Sequence, residues 1–482
     1  MSEIRIFHTH IEVYPYEAGE KPGLEKMLSR YDTVRRKYIP VGFFIQNDIL
    51  YLPRGISTVI LQKYFNGIPT PVYKYDEFHR IKKGVGNLPP KSQIQEDAIK
   101  FLCSEDNFAY TGRYSQFGLN IGTGNGKTYA TICAILKLKV RAIIITHQTK
   151  IKNQWIETLK NMTSFPMENF CDIEGTETMD QIMKGKVNAE IYAVNHQTII
   201  AYAKVHGWNS IREFFKKLKV GIKVVDEAHK FFENTLMIDY FSDIQKSFYI
   251  TATFGRSDNR EYRIYKSAFA SMVRYGEETQ KSEENRRHTI FTIVYFRSRP
   301  KFGIIPNLSN NYGFQSYKYI DYELNEENQT LLKVIESVWD EVKHLRGRFL
   351  LLSPKTDSVE YLAKKMTEYS GEEFQTIHSK NNAKDNEDRK ENAKCISSTI
   401  KSVGEGADMV GLRVLINTEP IGSVAAANQL RGRLREYSKD DDTFLFHLVD
   451  LSVPETEKFL ERIMPTMRNI CKEIRSYTIN DL

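Results

Sequence analysis

The chain has 482 residues, 41% hydrophobic and 27% charged, and 68 Lys and Arg against 61 Asp and Glu give a formal charge of +7. That length exceeds what one compact core supports and predicts two to four domains of a soluble globular protein; no 20–50-residue repeat or low-complexity block is present. The mild cationic excess permits a nucleic-acid track without demanding one. Cys103, Cys133, Cys171, Cys395 and Cys471 are far apart with no CxxC, so they read as reduced thiols rather than a disulfide frame or zinc site. No basic-then-apolar leader and no apolar run of membrane-spanning length is seen. These features predict a cytosolic protein without a membrane partner.

Residues 1–85 read as a small α+β domain. Ile4 to Phe7 and Ile11 to Tyr14 predict strands, and Gly23 to Tyr31 a helix with Leu24, Met27 and Leu28 on one face. Phe43 to Ile45, a turn at Asn47-Asp48 and Ile49 to Leu52 predict a hairpin. Ser57 to Tyr64 predicts a second helix. Arg30, Arg35, Arg36, Lys37 and Arg54 give this domain a basic side suited to phosphates. Leu88-Pro89-Pro90 marks a break, so the segment reads as a separable module.

Residues 86–276 predict a doubly wound α/β domain. Ser92 to Ala98 opens a helix, Phe117 to Ile121 is a strand and Tyr129 to Lys139 a helix. Between the last two lies Gly122-Thr123-Gly124-Asn125-Gly126-Lys127-Thr128, a glycine-rich turn where backbone N–H groups can face phosphates at a helix N-terminus. Lys127 can reach β- and γ-phosphates, and the Thr128 hydroxyl can ligate Mg²⁺. The strict pattern wants Gly at Ile121. Further strands are predicted at Arg141 to Thr146, Glu190 to Val194, Val220 to Val225 and Ser247 to Ile250, each followed by a polar motif, with a helix from Ile151 to Leu159. Asp226-Glu227-Ala228-His229 ends one strand about a hundred residues after the loop. Asp226 is suited to hold Mg²⁺ through water, and Glu227 to orient and deprotonate the attacking water.

Residues 277–453 predict a second alternating domain. Its strands are Ile290 to Phe296, Arg348 to Leu352, Phe374 to Ile377, Val414 to Ile416 and Phe444 to Leu448. Residues 299–313 read as irregular, Asn328 to Leu345 as an amphipathic helix, and Asp357-Ser358-Val359-Glu360 as a capping box opening a helix to Tyr369. Ser402 to Asp408 is a polar glycine turn of the kind that senses nucleotide. Gln429-Leu430-Arg431-Gly432-Arg433-Leu434-Arg435 suits insertion of a guanidinium at a γ-phosphate. Residues 454–482 predict a helical tail.

These motifs make the chain resemble a superfamily 2 helicase of the DEAH-box type, over about Lys91 to Arg435. The resemblance implies two tandem RecA-like domains behind the small α+β domain, with ATP and Mg as cofactors. It implies Gln95 as the adenine contact in a Q-type motif, residues 122–128 as motif I, Asp226 to His229 as motif II and Thr251-Ala252-Thr253 as motif III. Thr146 and Gln148 stand at motif Ia, where His147 replaces the usual Pro, and Gln197 and Thr198 at motif Ib. Ser353 and Lys355 stand at motif IV. These residues, with Ser402 of motif V, are the implied nucleic-acid contacts. Asp408 of motif V is implied to meet nucleotide, as are Gln429 and Arg433 of motif VI. Glu436 stands where motif VI usually has its last Arg, so Arg433 is the firmer arginine finger. Domain layout and Leu52-Pro53-Arg54-Gly55 resemble the phage UvsW-type DNA helicases, which branch-migrate and regress forks.

The resemblance further implies a monomer in the cytoplasm of a bacterial or phage-infected cell, with DNA as partner, single-stranded, forked or branched, and an RNA–DNA hybrid as a further substrate class. Three alternatives stand beside it: an RNA helicase, the motor subunit of a restriction or defence nuclease, and a nucleic-acid-binding module with a dead ATPase. Intact Lys127, Asp226 and Glu227 argue against the last.

Overall fold

In a computed structural model, the described residues are 2–32, 35–72, 80–81, 89–90, 92–104, 116–121, 126–228, 231–251, 259–276, 288–298, 305–310, 313–325, 328–403, 409–434 and 441–479. They fall into two compact units, Met1–Glu277 and Glu278–Leu482.

The first unit holds two sheets. Five strands of the N-terminal segment lie in the order Phe44–Gln46, Ile49–Pro53, His10–Tyr14, Glu3–Ile6, Pro69–Pro71, antiparallel except for the last pair. Asn47 and Asp48 sit in the left-handed region, as a two-residue hairpin turn requires. The helix expected over residues 23–31 is shorter, Pro22–Met27. The Leu28 carbonyl accepts the N–H groups of Val41 and Gly42, and the chain leaves as a separate ribbon, Ser29–Asp32 against Lys37–Pro40. The cross-strand Tyr31–Tyr38 pair favours that ribbon over continued helix.

The larger sheet is all-parallel, in the order Phe170–Ile173, Ile191–Asn195, Ala142–Thr146, Ile222–Asp226, Lys246–Ile250, Gln116–Leu119, Val273–Tyr275. Ala142–Thr146 and Lys246–Ile250 are buried along their whole length, as strands covered on both faces must be. The helix Phe232–Ser242 is buried over most of its surface and shows no apolar stripe, which hides it from periodicity reading. It lies between the sheet and the N-terminal segment.

That sandwich changes the reading of residues 1–85 as a separable module. Ile4, Val13, Leu50, Leu52 and Ile56 share one continuous core with Phe214, Tyr240, Phe241, Tyr249 and Tyr265. Tyr51 lies 5.1 Å from Phe241, which stacks on Trp208 at 5.3 Å. The Thr9 hydroxyl donates to the Asp239 carbonyl at 2.6 Å, and Arg212 to Glu12 at 2.7 Å. A Cβ on Gly55 would stand 2.4 Å from the Ala268 carbonyl oxygen, which already accepts the Gly55 N–H at 3.0 Å.

The second unit carries seven parallel strands in the order Phe374–Ile377, Cys395–Ser398, Arg348–Leu352, Leu412–Asn417, Thr443–Asp450, Thr289–Phe296, Glu473–Thr478. With strands numbered in chain order within each sheet, both large sheets run 3-4-2-5-6-1-7. The expected helical tail is therefore corrected. The helix Pro454–Ile470 buries Leu460, Ile463 and Met467 in this unit's core, and the chain ends as its seventh strand. An edge strand reading Glu-Ile-Arg-Ser-Tyr-Thr shows only weak alternation, which is why composition hides it. The expected capping box also shifts. The helix is Thr356–Ser370 with Lys355 at its N-cap, and Asp357 lies in its first turn, bonded to Lys380 at 2.9 Å.

Candidate functional site

The first unit's polar motifs lie past the carboxyl ends of its parallel strands, where open α/β sheets bind ligands. Gly122, Thr123, Gly124 and Asn125 lie outside the described residues, but both margins of the loop are defined. Gly126 adopts φ +73° and caps the helix Lys127–Leu138. A Cβ on Gly126 would fall 2.2 Å from the Gln95 amide nitrogen. Gln95, buried on the helix Gln93–Cys103, thus rests directly on the loop's last glycine. Ser92 caps that helix through the Gln95 N–H at 3.3 Å. Lys127 donates to the Ile121 carbonyl at 3.2 Å, folded back across the base of the loop. Thr128 follows in the first helical turn, where partial positive charge accumulates.

Asp226 ends its strand with both carboxylate oxygens engaged. Oδ1 accepts the Glu227 N–H at 2.8 Å, and Oδ2 accepts the indole N–H of buried Trp155 at 2.6 Å. Burial and the neighbouring Glu227 charge push the Asp226 carboxyl up to about 6, against the pull of Trp155, Lys127 and the Glu227 N–H. Glu227 has φ +50°, a left-handed conformation that costs a non-glycine residue energy and recurs at functional turns. Ala228 N–H then reaches the Ile250 carbonyl, and Thr251 N–H reaches the Leu119 carbonyl. The acidic turn, the start of motif III and the strand before the phosphate loop are hydrogen-bonded in series. His229, Ala252 and Thr253 lie outside the described residues.

At the neighbouring strand ends the residues divide by exposure. Gln148 and Gln197 are exposed, and Thr198 is half-buried. Thr146 is buried, its hydroxyl donating to Asn195 Oδ1 at 2.8 Å, while Asn195 donates to Thr149 at 3.0 Å. This ties the two loops to each other. Phe231, at φ +45°, lies between His147 and His196, with ring centroids 5.6 and 4.9 Å away.

In the second unit, Ser353 is fully buried and shares a 2.6 Å hydrogen bond with Ser358, while Lys355 binds Asp321 at 2.7 Å. Ser402 accepts from Thr399 at 2.8 Å. Arg433 donates to the Val403 carbonyl at 2.9 Å, so motifs V and VI touch. Gln429 is half-buried on the helix Val424–Arg431, capped by Ser423. Asp408 and Arg435 lie outside the described residues.

Two features escaped sequence reading. Trp155 lies inside a helix that was expected, but nothing in one sequence says its indole reaches Asp226. The second, Lys223, did leave a signal in the sequence: a lone lysine in the central strand Ile222-Lys223-Val224-Val225 has to find a buried partner. It pairs with Asp239 and donates to Ser242 at 2.8 Å. Asp239 also accepts from Tyr249 at 2.7 Å.

The family model described as DEAD/DEAH box helicase matches residues 92–261. Among solved structures, S. cerevisiae Dbp5 bound to RNA and ADP BeF3 is similar over 80% of this chain and 90% of that one, at 13% identity and TM-score 0.53. T4 UvsW aligns over 99% of both chains at 12% identity, with a TM-score of 0.38 that is too low to carry the comparison further. Chaperone protein HtpG of Buchnera aphidicola subsp. Schizaphis graminum is 24% identical over 250 residues, 48% of this chain and 37% of that protein. The chain thus spans well under half the length of that curated relative. The likeness to Dbp5 is one of fold, two tandem parallel sheets, with the helicase family match lying in the first of them. Residues 92–261 match the DEAD/DEAH box helicase family model, and the two large parallel sheets are tandem RecA-like folds.

Proposed function

We propose that this protein is an ATP-dependent DNA helicase or translocase that unwinds or branch-migrates forked and branched duplexes. The observation that carries the reading is the meeting of Gln95, Gly126, Lys127, Asp226 and Glu227 at one sheet edge, beside strand-end loops whose exposed residues can track a backbone. Phosphate binding replaces the Ile121 carbonyl as the partner of Lys127. Two adjacent carboxyl groups, one buried and raised by its neighbour, suit a hard divalent cation with oxygen donors. Thr128 and Asp226 would hold Mg²⁺, which neutralises phosphate charge. Glu227 takes the proton of the attacking water. Arg433 is proposed for the γ-phosphate, with Gln429 beside it in the same motif and Asp408 in motif V. Gln148, Gln197, Thr198, Lys355 and Ser402 are proposed to meet the nucleic-acid backbone, whose phosphates carry no sequence information.

The test is ATP turnover and strand separation on single-stranded, forked, four-way-junction and RNA–DNA substrates. The Glu227→Gln variant should bind ATP normally and hydrolyse it at least about a hundredfold more slowly, roughly 2.7 kcal/mol of barrier. Joint loss of binding and turnover would make Glu227 structural. Stimulation by RNA alone would replace the DNA reading with an RNA helicase.

A further inference from the structure

The ribbon Ser29–Asp32/Lys37–Pro40 belongs to no large sheet. Its register pairs Tyr31 with Tyr38 and Arg30 with Ile39, so the two pairs lie on opposite faces. The inner face lies against the helicase domain: Arg30 reaches Glu233 at 3.6 Å, and the strand Ser29–Asp32 runs beside the helix Asn259–Ala268. The outer face leaves Tyr31 37% and Tyr38 47% exposed, with ring centroids 5.2 Å apart. Lys26 stands 5.3 Å over the Tyr38 ring, and Met27 beside it is also exposed. Arg35 and Arg36, in the loop that joins the two strands, are exposed as well, and Lys37 is exposed on the other face, opposite Asp32. The nearby acids are taken up. Asp32 accepts the Arg35 N–H at 3.0 Å, and Glu25 accepts from Tyr16 and the Gly19 N–H.

We infer that this outer face is a stacking platform for single-stranded nucleic acid, with bases on Tyr31 and Tyr38 and phosphates along Lys26 and the loop residues Arg35 and Arg36. Two exposed aromatic rings amid cations match the chemistry of a strand whose bases have been unpaired, since every base has a π-face and every linkage a charge. Because the inner face is fixed to the helicase domain, the platform holds a strand at a constant distance from the strand-end loops of the same unit. It supplies a candidate element for keeping a displaced strand apart. The inference rests on the helicase reading above.

The test is fluorescence anisotropy of labelled oligo-dT and oligo-rU with full-length protein, alongside basal and stimulated ATP turnover. Tyr31→Leu/Tyr38→Leu should bind both oligonucleotides about tenfold more weakly or worse, with basal turnover and melting temperature kept. Tyr31→Phe/Tyr38→Phe should bind like wild type, because the rings remain. Arg35→Glu/Arg36→Glu should flatten the dependence of affinity on salt. If the leucine variant is unstable, photocrosslinking of 5-iodouracil oligonucleotides to the wild-type chain replaces it, with the crosslink expected in residues 26–40. Unchanged affinity in a folded leucine variant, or crosslinks elsewhere only, would overturn the platform. So would a change of oligomeric state without a change in affinity. Wild-type turnover that no nucleic acid stimulates would instead overturn the helicase reading itself.

Discussion

Asp226 shows how little of a site is its named residue. Its carboxylate is held between the Glu227 N–H and the Trp155 indole, and each oxygen keeps a lone pair for metal-bound water. Groups that orient a metal-holding side chain commonly matter tenfold or more. Trp155→Phe, which keeps the ring and deletes the N–H, should therefore raise the Mg²⁺ concentration needed for half-maximal turnover about tenfold. An unchanged Mg²⁺ titration would show that Trp155 only packs. A second consequence concerns pH. The Asp226 carboxyl rises from the ordinary 3.8 to about 6. The folded state then holds a proton that the unfolded chain has released, so this group's favourable contribution is greatest below the ordinary value and is lost as pH rises through about 6. A bound cation compensates the charge only above that range. The gain in melting temperature from Mg²⁺ with ADP should be small near pH 5 and larger near pH 7.5. An equal gain at both would remove Asp226 from the metal site.

At the scale of elements, the join between the N-terminal segment and the helicase domain narrows to Gly55. Its N–H already bonds the Ala268 carbonyl, and the Ala270 N–H nitrogen would stand 2.6 Å from an added Cβ. Neither group is the mobile tip of a side chain, so Gly55→Ala forces backbone apart. A cost of about 1–3 kcal/mol is expected, seen as a lower melting temperature and faster proteolysis between residues 1–85 and the rest. A melting temperature within about one degree of wild type would mean that the contact gives way freely. The helix Phe232–Ser242 explains why this join is tight. One side meets the parallel sheet, the other meets Tyr51 and Thr9, and Asp239 within it neutralises Lys223.

For the whole molecule, the shared core means that residues 1–85 cannot be removed cleanly. Their deletion would uncover Tyr240, Phe241 and Trp208, a continuous apolar surface of the kind that drives aggregation. The truncated chain should lose ATP turnover together with nucleic-acid binding, through poor solubility or low melting temperature. A soluble truncation with wild-type basal turnover would show that the helicase domain supports itself. Surface variants on the ribbon are thus the sharper probe of what the segment does. The same strand order in both large sheets, reached without a repeat in the sequence, shows how far packing rules constrain such a fold once strand and helix alternate.

The sequence by itself determined the parallel-sheet class, because an apolar run such as Ala142–Thr146 leaves no polar face for solvent. It also placed a glycine, a lysine and paired carboxylates at strand ends, because a short motif specifies the local backbone geometry there. The tertiary structure alone decided the rest. A hydrogen bond between Trp155 and Asp226 joins residues 71 positions apart, and no periodicity encodes it. The merging of residues 1–85 with the helicase domain depends on which face of a helix without an apolar stripe meets which sheet. The seventh strand of the second sheet is fixed by the free edge of Thr289–Phe296, not by the propensity of Glu473–Thr478. Local patterns reveal what a segment can become; only packing selects its neighbour.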